Sequence, residues 1–273
     1  MMNDSNEPDI WRNFLPWPGP DAHKHARGRL GVVSGRAHQT GAARLAARAG
    51  LRIGAGVVRI LCPPDAVTVI APAIEAIMLG PFGTAEALAR EADDMDAVVV
   101  GPAAGVDETT VGNIHALART GAALVVDADG LTVFKDRTAE LFAILDHDDV
   151  LTPHEGEFER LFPGLLARGR AVAAVEAARL ADAVVVLKGR ETVVAAPDGR
   201  FRINRNGSPW LATAGTGDVL AGMIGGLIAQ RMDSFEAASA AVWMHAAAAE
   251  QFGPGLISED LPERLPAILA ALA

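Results

Sequence analysis

One stretch of the chain joins a possible phosphate grip to a possible proton acceptor. In "ATAGTGDVLAGMIGGLIAQ", residues 212–230, small residues and glycines run into an apolar helical pattern with a single acid, Asp218, at the join. A glycine-rich turn entering a helix leaves the first backbone N–H groups unpaired, and the helix dipole adds positive charge there, so anions bind. Gly215 and Gly217 carry no side chain to block a phosphate, and the hydroxyls of Thr213 and Thr216 are candidate donors. Phosphoryl transfer needs a base beside that cradle, because the acceptor hydroxyl loses its proton as its oxygen attacks phosphorus. Asp218 suits that role, although a carboxylate in a first helical turn is also a common stabiliser with no catalytic duty. No Gly-Lys-Ser/Thr sequence occurs, so the turn is not a Walker loop.

Other polar or glycine-rich clusters follow short apolar runs: "SGRAHQTGA", "GPAAG" at 101–105, "DADGL" at 127–131, "TPHEGEF" at 152–158 and "KGRET" at 188–192. The runs themselves, at 30–34, 57–61, 97–101, 123–127, 149–152 and 183–188, are rich in valine without polar alternation. That texture suits strands buried on both faces. Alanine-rich helical segments lie between them, near 40–53, 84–93, 108–120, 138–145 and 170–181. The alternation predicts an α/β fold of three layers, a mostly parallel central sheet with helices on both faces. Ligands of such sheets bind outside the carboxyl ends of the strands, so the clusters predict one active site along one edge. Beyond residue 188, "ETVVAAPDGRFRIN" reads as a hairpin around Pro-Asp-Gly, followed by helices near 216–231, 233–252 and 259–272. With no repeat, low-complexity tract or linker, a single domain over 1–273 is expected, residues 1–20 being an N-terminal extension.

Composition removes several classes. A chain of 273 residues that is 50% hydrophobic and 21% charged can bury one large core. The formal net charge of −10 counts against a nucleic-acid partner, which calls for a basic face. The single cysteine, Cys62, closes a buried run, which leaves no disulfide framework and no cysteine metal site and fits a reducing compartment. The first residues, "MMNDSNEPDIWRN", lack a basic start and an apolar stretch, so no secretory signal is expected. The longest uncharged runs, "VLAGMIGGLIAQ" and "AASAAVWMHAAAA", fall short of the roughly 18 residues of a membrane span. A cytoplasmic protein with no membrane partner is the expectation.

"TAGTGDVLAG" resembles the anion-hole and aspartate signature of the ribokinase-like superfamily. Within it, four further stretches resemble the ADP-dependent (S)-NAD(P)H-hydrate dehydratases. They are "HKHARGRLGVVSG" with "TGAARLAARAGLRIGAG", then "VVDADGL", "LTPHEGEFERL", and "VVVLKGRETVVAAPDG" running on to "NGSPWLATAGTGDVLAGMIGGL". The likeness runs from about residue 21 to the end, and "TPHEGEF" is its most discriminating part.

The resemblance implies dehydration of (6S)-NADHX and (6S)-NADPHX to NADH and NADPH. The C6 hydroxyl is phosphorylated by ADP and phosphate is then eliminated, with AMP as the other product. By motif match Asp218 is the base and touches the substrate hydroxyl, and Ala42, Gly105 and His154 line the substrate. Lys188, Gly189, Arg190, Glu191 and Thr192 hold the nucleotide together with Gly215, Thr216 and Gly217. Mg2+ is implied, with Glu157 meeting it through water. Taken alone, His154 reads as a helix-start residue, Lys188 as the solvated end of a strand, and Gly41 and Ala42 as helix packing. Asp127 is open between positioning and structure, whereas Asp129 is expected to cap the helix that follows it. Arg36, Gln39 and Ala103 depart from the family's usual residues, and those departures bear on the nicotinamide pocket.

A separate epimerase is expected as functional partner, and a homo-tetramer as the assembly. The alternatives are a vitamin-precursor kinase of the same superfamily, where phosphorylation ends the reaction, and a nucleotide-sensing protein that has lost turnover.

Overall fold

All six valine-rich runs become strands in the computed structural model, which describes residues 4–273. The strands are β1 (Arg29–Val33), β2 (Val57–Cys62), β3 (Met78–Pro81), β4 (Ala97–Val100), β5 (Ala123–Val126), β6 (Val150–Leu151), β7 (Val184–Leu187), β8 (Thr192–Ala195) and β9 (Phe201–Asn204). They form one sheet in the order β3-β2-β1-β4-β5-β6-β7-β8-β9. β1 to β7 are parallel throughout, and the expected hairpin supplies the antiparallel β8 and β9. The sequence reading missed β3. It is an edge strand, "MLGP", whose Met78 is exposed and whose Gly and Pro erase any apolar pattern.

The helices are α1 (Gly41–Arg52), α2 (Val67–Ile70), α3 (Ala85–Ala92), α4 (Glu108–Leu117), α5 (Asp129–Thr132), α6 (Thr138–Phe142), α7 (Glu155–Leu161), α8 (Arg170–Ala181), α9 (Thr216–Ala229), α10 (Ser234–Phe252) and α11 (Asp260–Leu272). Alternate strand residues face opposite layers, as a pleated sheet requires. Ala97 and Val99 join the core built with α1, α9, α10 and α11, while Val98 and Val100 join the one built with α3, α4 and α8. Among the described residues no helix is long and apolar enough to cross a membrane.

α9 is apolar all round because it is covered all round, Val219 to Ala229 being buried without a break. Its glycines admit α1 backbone to backbone. A Cβ at Gly222 would stand 2.1 Å from Ala46 O, and one at Gly226 would stand 2.9 Å from Gly50 Cα. The two helices therefore run parallel at a constant offset, and both begin at the carboxyl edge of the sheet. The amino-terminal segment is also fixed. Asn6 N–H donates to Ile203 O at 2.9 Å, and Trp11 is 0% exposed in the α9–α10 layer.

Candidate active site

At the carboxyl edge, the chain leaves β1 toward α1 and β2, and leaves β4 toward β5 on the other side. The reversal makes the β1–β4 boundary the topological switch point of the sheet, the place where ligands bind in open parallel sheets. The loops after these two strands touch there, since a Cβ on Gly35 would lie 2.1 Å from Ala103 O.

α9 points its amino terminus into the same edge. Gly215 caps it with φ +88°, a left-handed conformation that glycine adopts without strain. Thr216, Gly217 and Asp218 form the first turn, and the amides of residues 215–218 have no hydrogen-bond partner among the described residues. The carbonyl side of this turn is tied down instead. Thr216 Oγ1 shares its one proton between Leu211 O (2.9 Å) and Thr213 O (3.1 Å), Ser258 Oγ donates to Ala214 O, and His245 Nε2 lies 2.9 Å from Thr216 O. The expectation that the Thr216 hydroxyl serves a phosphate is thereby corrected. Buried and committed to two carbonyls, it holds the turn, and what Thr216 offers outward is its N–H.

Asp127 follows β5 directly with its carboxylate buried, and Lys188, one residue past β7, reaches it with Nζ 2.7 Å from Oδ1. Lys188 is thus not a solvated strand end. A Cβ on Gly217 would sit 3.6 Å from Lys188 Nζ and 3.7 Å from Asp127 Oδ2, which puts the helix turn against this ion pair. Asp218 is half-buried beside it, and its carboxyl is pushed up to about 6. Burial is the main cause, the negative charge of Asp127 adds to it, and Lys188 opposes both.

His154 adjoins Lys188 through a parallel bridge, and Lys188 N–H donates to Pro153 O at 2.9 Å. The helix-start reading of His154 holds. Its Nδ1 accepts from the amides of Gly156 (3.0 Å) and Glu157 (3.3 Å), while Glu157 Oε2 accepts from His154 N–H (2.9 Å), a reciprocal capping box. The imidazole stays exposed, and the backbone bridge places His154 next to Lys188 at this edge. Glu157 is buried with its carboxylate turned to His154. Among the described residues the one cluster with three ligand atoms close enough for a metal is Asp146, His147 and Asp148, exposed before β6 at the opposite edge.

Lys188 to Thr192 make the turn between β7 and β8, with Gly189, Arg190 and Glu191 exposed and Thr192 Oγ1 donating to Gly189 O at 3.2 Å. Arg170 braces this turn from behind, its Nη2 donating to Leu187 O and Lys188 O, each at 3.1 Å. On α1, Gly41 is exposed and Ala42 half-buried. Ala42 lies one turn before Ala46 and Asp218 one turn before Gly222, so both belong to the first turns of the paired helices. The expected cap at Asp129 is corrected: its carboxylate makes no bond to its own helix and accepts from Gly105 N–H at 2.9 Å, joining the loops after β4 and β5.

A protein-family model described as NAD(P)H-hydrate dehydratase matches residues 30–269. The chain belongs to this family. It is 41% identical over 251 residues to a bifunctional NAD(P)H-hydrate repair enzyme of Gloeobacter violaceus, covering 89% of this chain and 49% of the relative. It is 40% identical over 244 residues to an ADP-dependent (S)-NAD(P)H-hydrate dehydratase of Neisseria meningitidis, covering 84% of this chain and 79% of that one. The chain spans about half the length of the bifunctional relatives. The crystal structure of an ADP/ATP-dependent NAD(P)H-hydrate dehydratase from Bacillus subtilis, co-crystallised with ATP and Mg2+, superposes with a TM-score of 0.84 at 27% identity, covering 100% of both chains. The three-layer ribokinase-like architecture expected from the sequence is the one observed.

For a dehydratase-family chain, the departures have visible structural outcomes. Ala103 takes the left-handed conformation at φ +56°, a place where glycine carries no strain, and Arg36 lies exposed on the loop after β1. The sequence reading passed over His245, Ser258 and Arg170. For His245 a signal existed, one imidazole in the otherwise uncharged run "AASAAVWMHAAAA".

Proposed function

We propose that this chain dehydrates (6S)-NADHX and (6S)-NADPHX to NADH and NADPH at the expense of ADP, releasing AMP and phosphate. The carrying observation is one arrangement: four free amides at a helix start, with the raised carboxyl of Asp218 and the Lys188–Asp127 pair against them. ADP supplies the phosphoryl group that turns the C6 hydroxyl into a leaving group. Asp218 accepts the hydroxyl proton as the oxygen attacks phosphorus, and its carboxyl near 6 is mostly ionised at neutral pH yet basic enough to take that proton. The amides of residues 215–218 stabilise charge on the transferring phosphoryl oxygens, aided by the α9 dipole. Lys188 holds Asp127 and adds a positive charge at the same place, and residues 188–192 cradle the AMP portion. Ala42, Gly105 and His154 line the nicotinamide side, at the carboxyl edge that carries the β1–β4 switch point.

Mg2+ fits through water rather than through a direct bond, because Glu157 spends its carboxylate on the α7 cap and Mg2+ keeps much of its hydration shell. A homo-tetramer working in the cytoplasm beside an epimerase that interconverts the C6 epimers completes the proposal.

The deciding experiment incubates the protein with hydrated NADH and Mg2+ plus ADP or ATP, following NADH absorbance and inorganic phosphate. NADH and phosphate appearing together are expected. A stable phosphoester without NADH makes the chain a small-molecule kinase, and nucleotide binding without turnover makes it a sensor.

A further inference from the structure

We infer that His245 is a positioning residue for phosphoryl transfer: its imidazole holds the Thr216 carbonyl and so aims the Gly217 amide at the transferring group. The inference rests on the proposed function in one respect, that this turn takes a phosphoryl group.

His245 lies midway along α10 among alanines, valine and methionine, and it is 6% exposed. A buried imidazole needs a partner for its polar atoms. It finds one at Thr216 O, 2.9 Å from Nε2. A carbonyl oxygen can only accept, so Nε2 carries the proton and Nδ1 does not while the ring is neutral. Burial keeps the ring neutral, pushing its protonation down to about 4, and the positive charge of Lys188 acts the same way. The tautomer and the charge state are therefore both fixed at working pH.

Thr216 C=O and Gly217 N–H belong to one trans peptide plane and point in opposite directions. A donor that fixes the carbonyl fixes the direction of the amide. Hydrogen bonding at the oxygen also polarises the peptide and strengthens the N–H as a donor. The neighbouring planes are held likewise, Ser258 Oγ on Ala214 O and Thr216 Oγ1 on Leu211 O and Thr213 O. Every tie meets the carbonyl side, while the amides of residues 215–218 stay free. His245 is the tie nearest Asp218, and it is brought in by a separate helix. Preorganised donors of this kind act chiefly on the transition state, so loss of the tie falls on kcat more than on KM.

The test compares wild type with His245→Phe, which keeps the ring without a donor, and His245→Gln, whose amide N–H takes the place of Nε2–H. With hydrated NADH, ADP and Mg2+, His245→Phe is expected to lose roughly ten-fold in kcat with KM for the hydrate nearly unchanged, less than the loss of a direct oxyanion donor. His245→Gln is expected to recover most of that loss. A folded His245→Phe enzyme with wild-type kcat, or a folded His245→Gln enzyme no better than it, overturns the inference. Imidazole 15N shifts of the wild type give a reading that needs no variant: the Nε2–H tautomer is expected, and the Nδ1–H tautomer overturns the positioning role. If wild type fails to convert the hydrate, the functional proposal fails instead. The tie is then judged by binding of inorganic phosphate, expected to be weaker in His245→Phe, with equal binding overturning it.

Discussion

Replacing Asp218 by Asn should make the protein more stable at neutral pH and nearly inactive, and the structure sets the size of the gain. The carboxyl rises from its ordinary 3.8 to about 6 on folding, chiefly through burial and then through Asp127. In the folded state it binds its proton more tightly than in the unfolded state. Its contribution to stability is therefore fully present below about pH 4, falls as pH rises through about 6, and is gone above that. At about 1.4 kcal/mol per tenfold change in proton affinity, the rise corresponds to at most ~3 kcal/mol. Partial exposure screens some of this, and Asn gives up a favourable contact with the α9 dipole of up to ~1 kcal/mol. A net gain of about 1–2 kcal/mol above pH 7 is expected, a rise of roughly 3–6 °C in Tm. Urea denaturation of both proteins at pH 4.5 and pH 8 measures it, the gain appearing mainly at pH 8. Asp149, raised to about 7, and His245, lowered to about 4, are common to both proteins and cancel in the difference. Turnover should fall by roughly 100- to 10,000-fold, the usual weight of a general base. A variant that is less stable than wild type at pH 8, or whose gain is the same at both pH values, refutes the reasoning.

Other substitutions test the surroundings. Lys188→Met leaves Asp127 buried without its 2.7 Å partner and removes the charge opposing the rise at Asp218. A loss of about 3 kcal/mol in urea denaturation is expected, together with a pH–rate profile whose acid limb moves upward. Gly222→Ala drives a Cβ to 2.1 Å from Ala46 O, where no rotamer offers escape. Thermal unfolding should report a loss of roughly 3 kcal/mol or more, and wild-type stability would show that α1 and α9 pack more loosely than described. Ala103→Gly relieves a left-handed alanine at φ +56°. After the added freedom of the unfolded chain, a gain of roughly 0.5 kcal/mol is expected by the same assay.

The sequence disclosed the parallel sheet because its strands are covered on both faces and so read as unbroken valine runs. It hid β3, a short edge strand whose two ends, Met78 and Pro81, are exposed. The helix starting at Gly215 was legible from its glycines, and Asp218 from its place beside them. What the sequence could not carry were contacts between distant segments. Asp129 looked like a cap for its own helix, but the loop after β4 offers the Gly105 amide across the gap. The Thr216 hydroxyl looked free until the turn folded back on Leu211 and Thr213. Lys188 looked solvated because nothing local announces that Asp127, 61 residues earlier, directly follows the strand two places away in the sheet. The capping box of His154 and Glu157 was within reach of pattern reading, since its two members are three residues apart.

The glycine seam between α1 and α9 also fixes a length. Because backbone meets backbone at residues 46 and 222 and again at 50 and 226, neither helix can slide or roll without forcing atoms into overlap. The spacing of the two helices along this seam is accordingly a rigid gauge, and it carries back to the first turns that hold Ala42 and Asp218. On the proposed function, a ligand held at these helix starts meets walls that do not adjust to it.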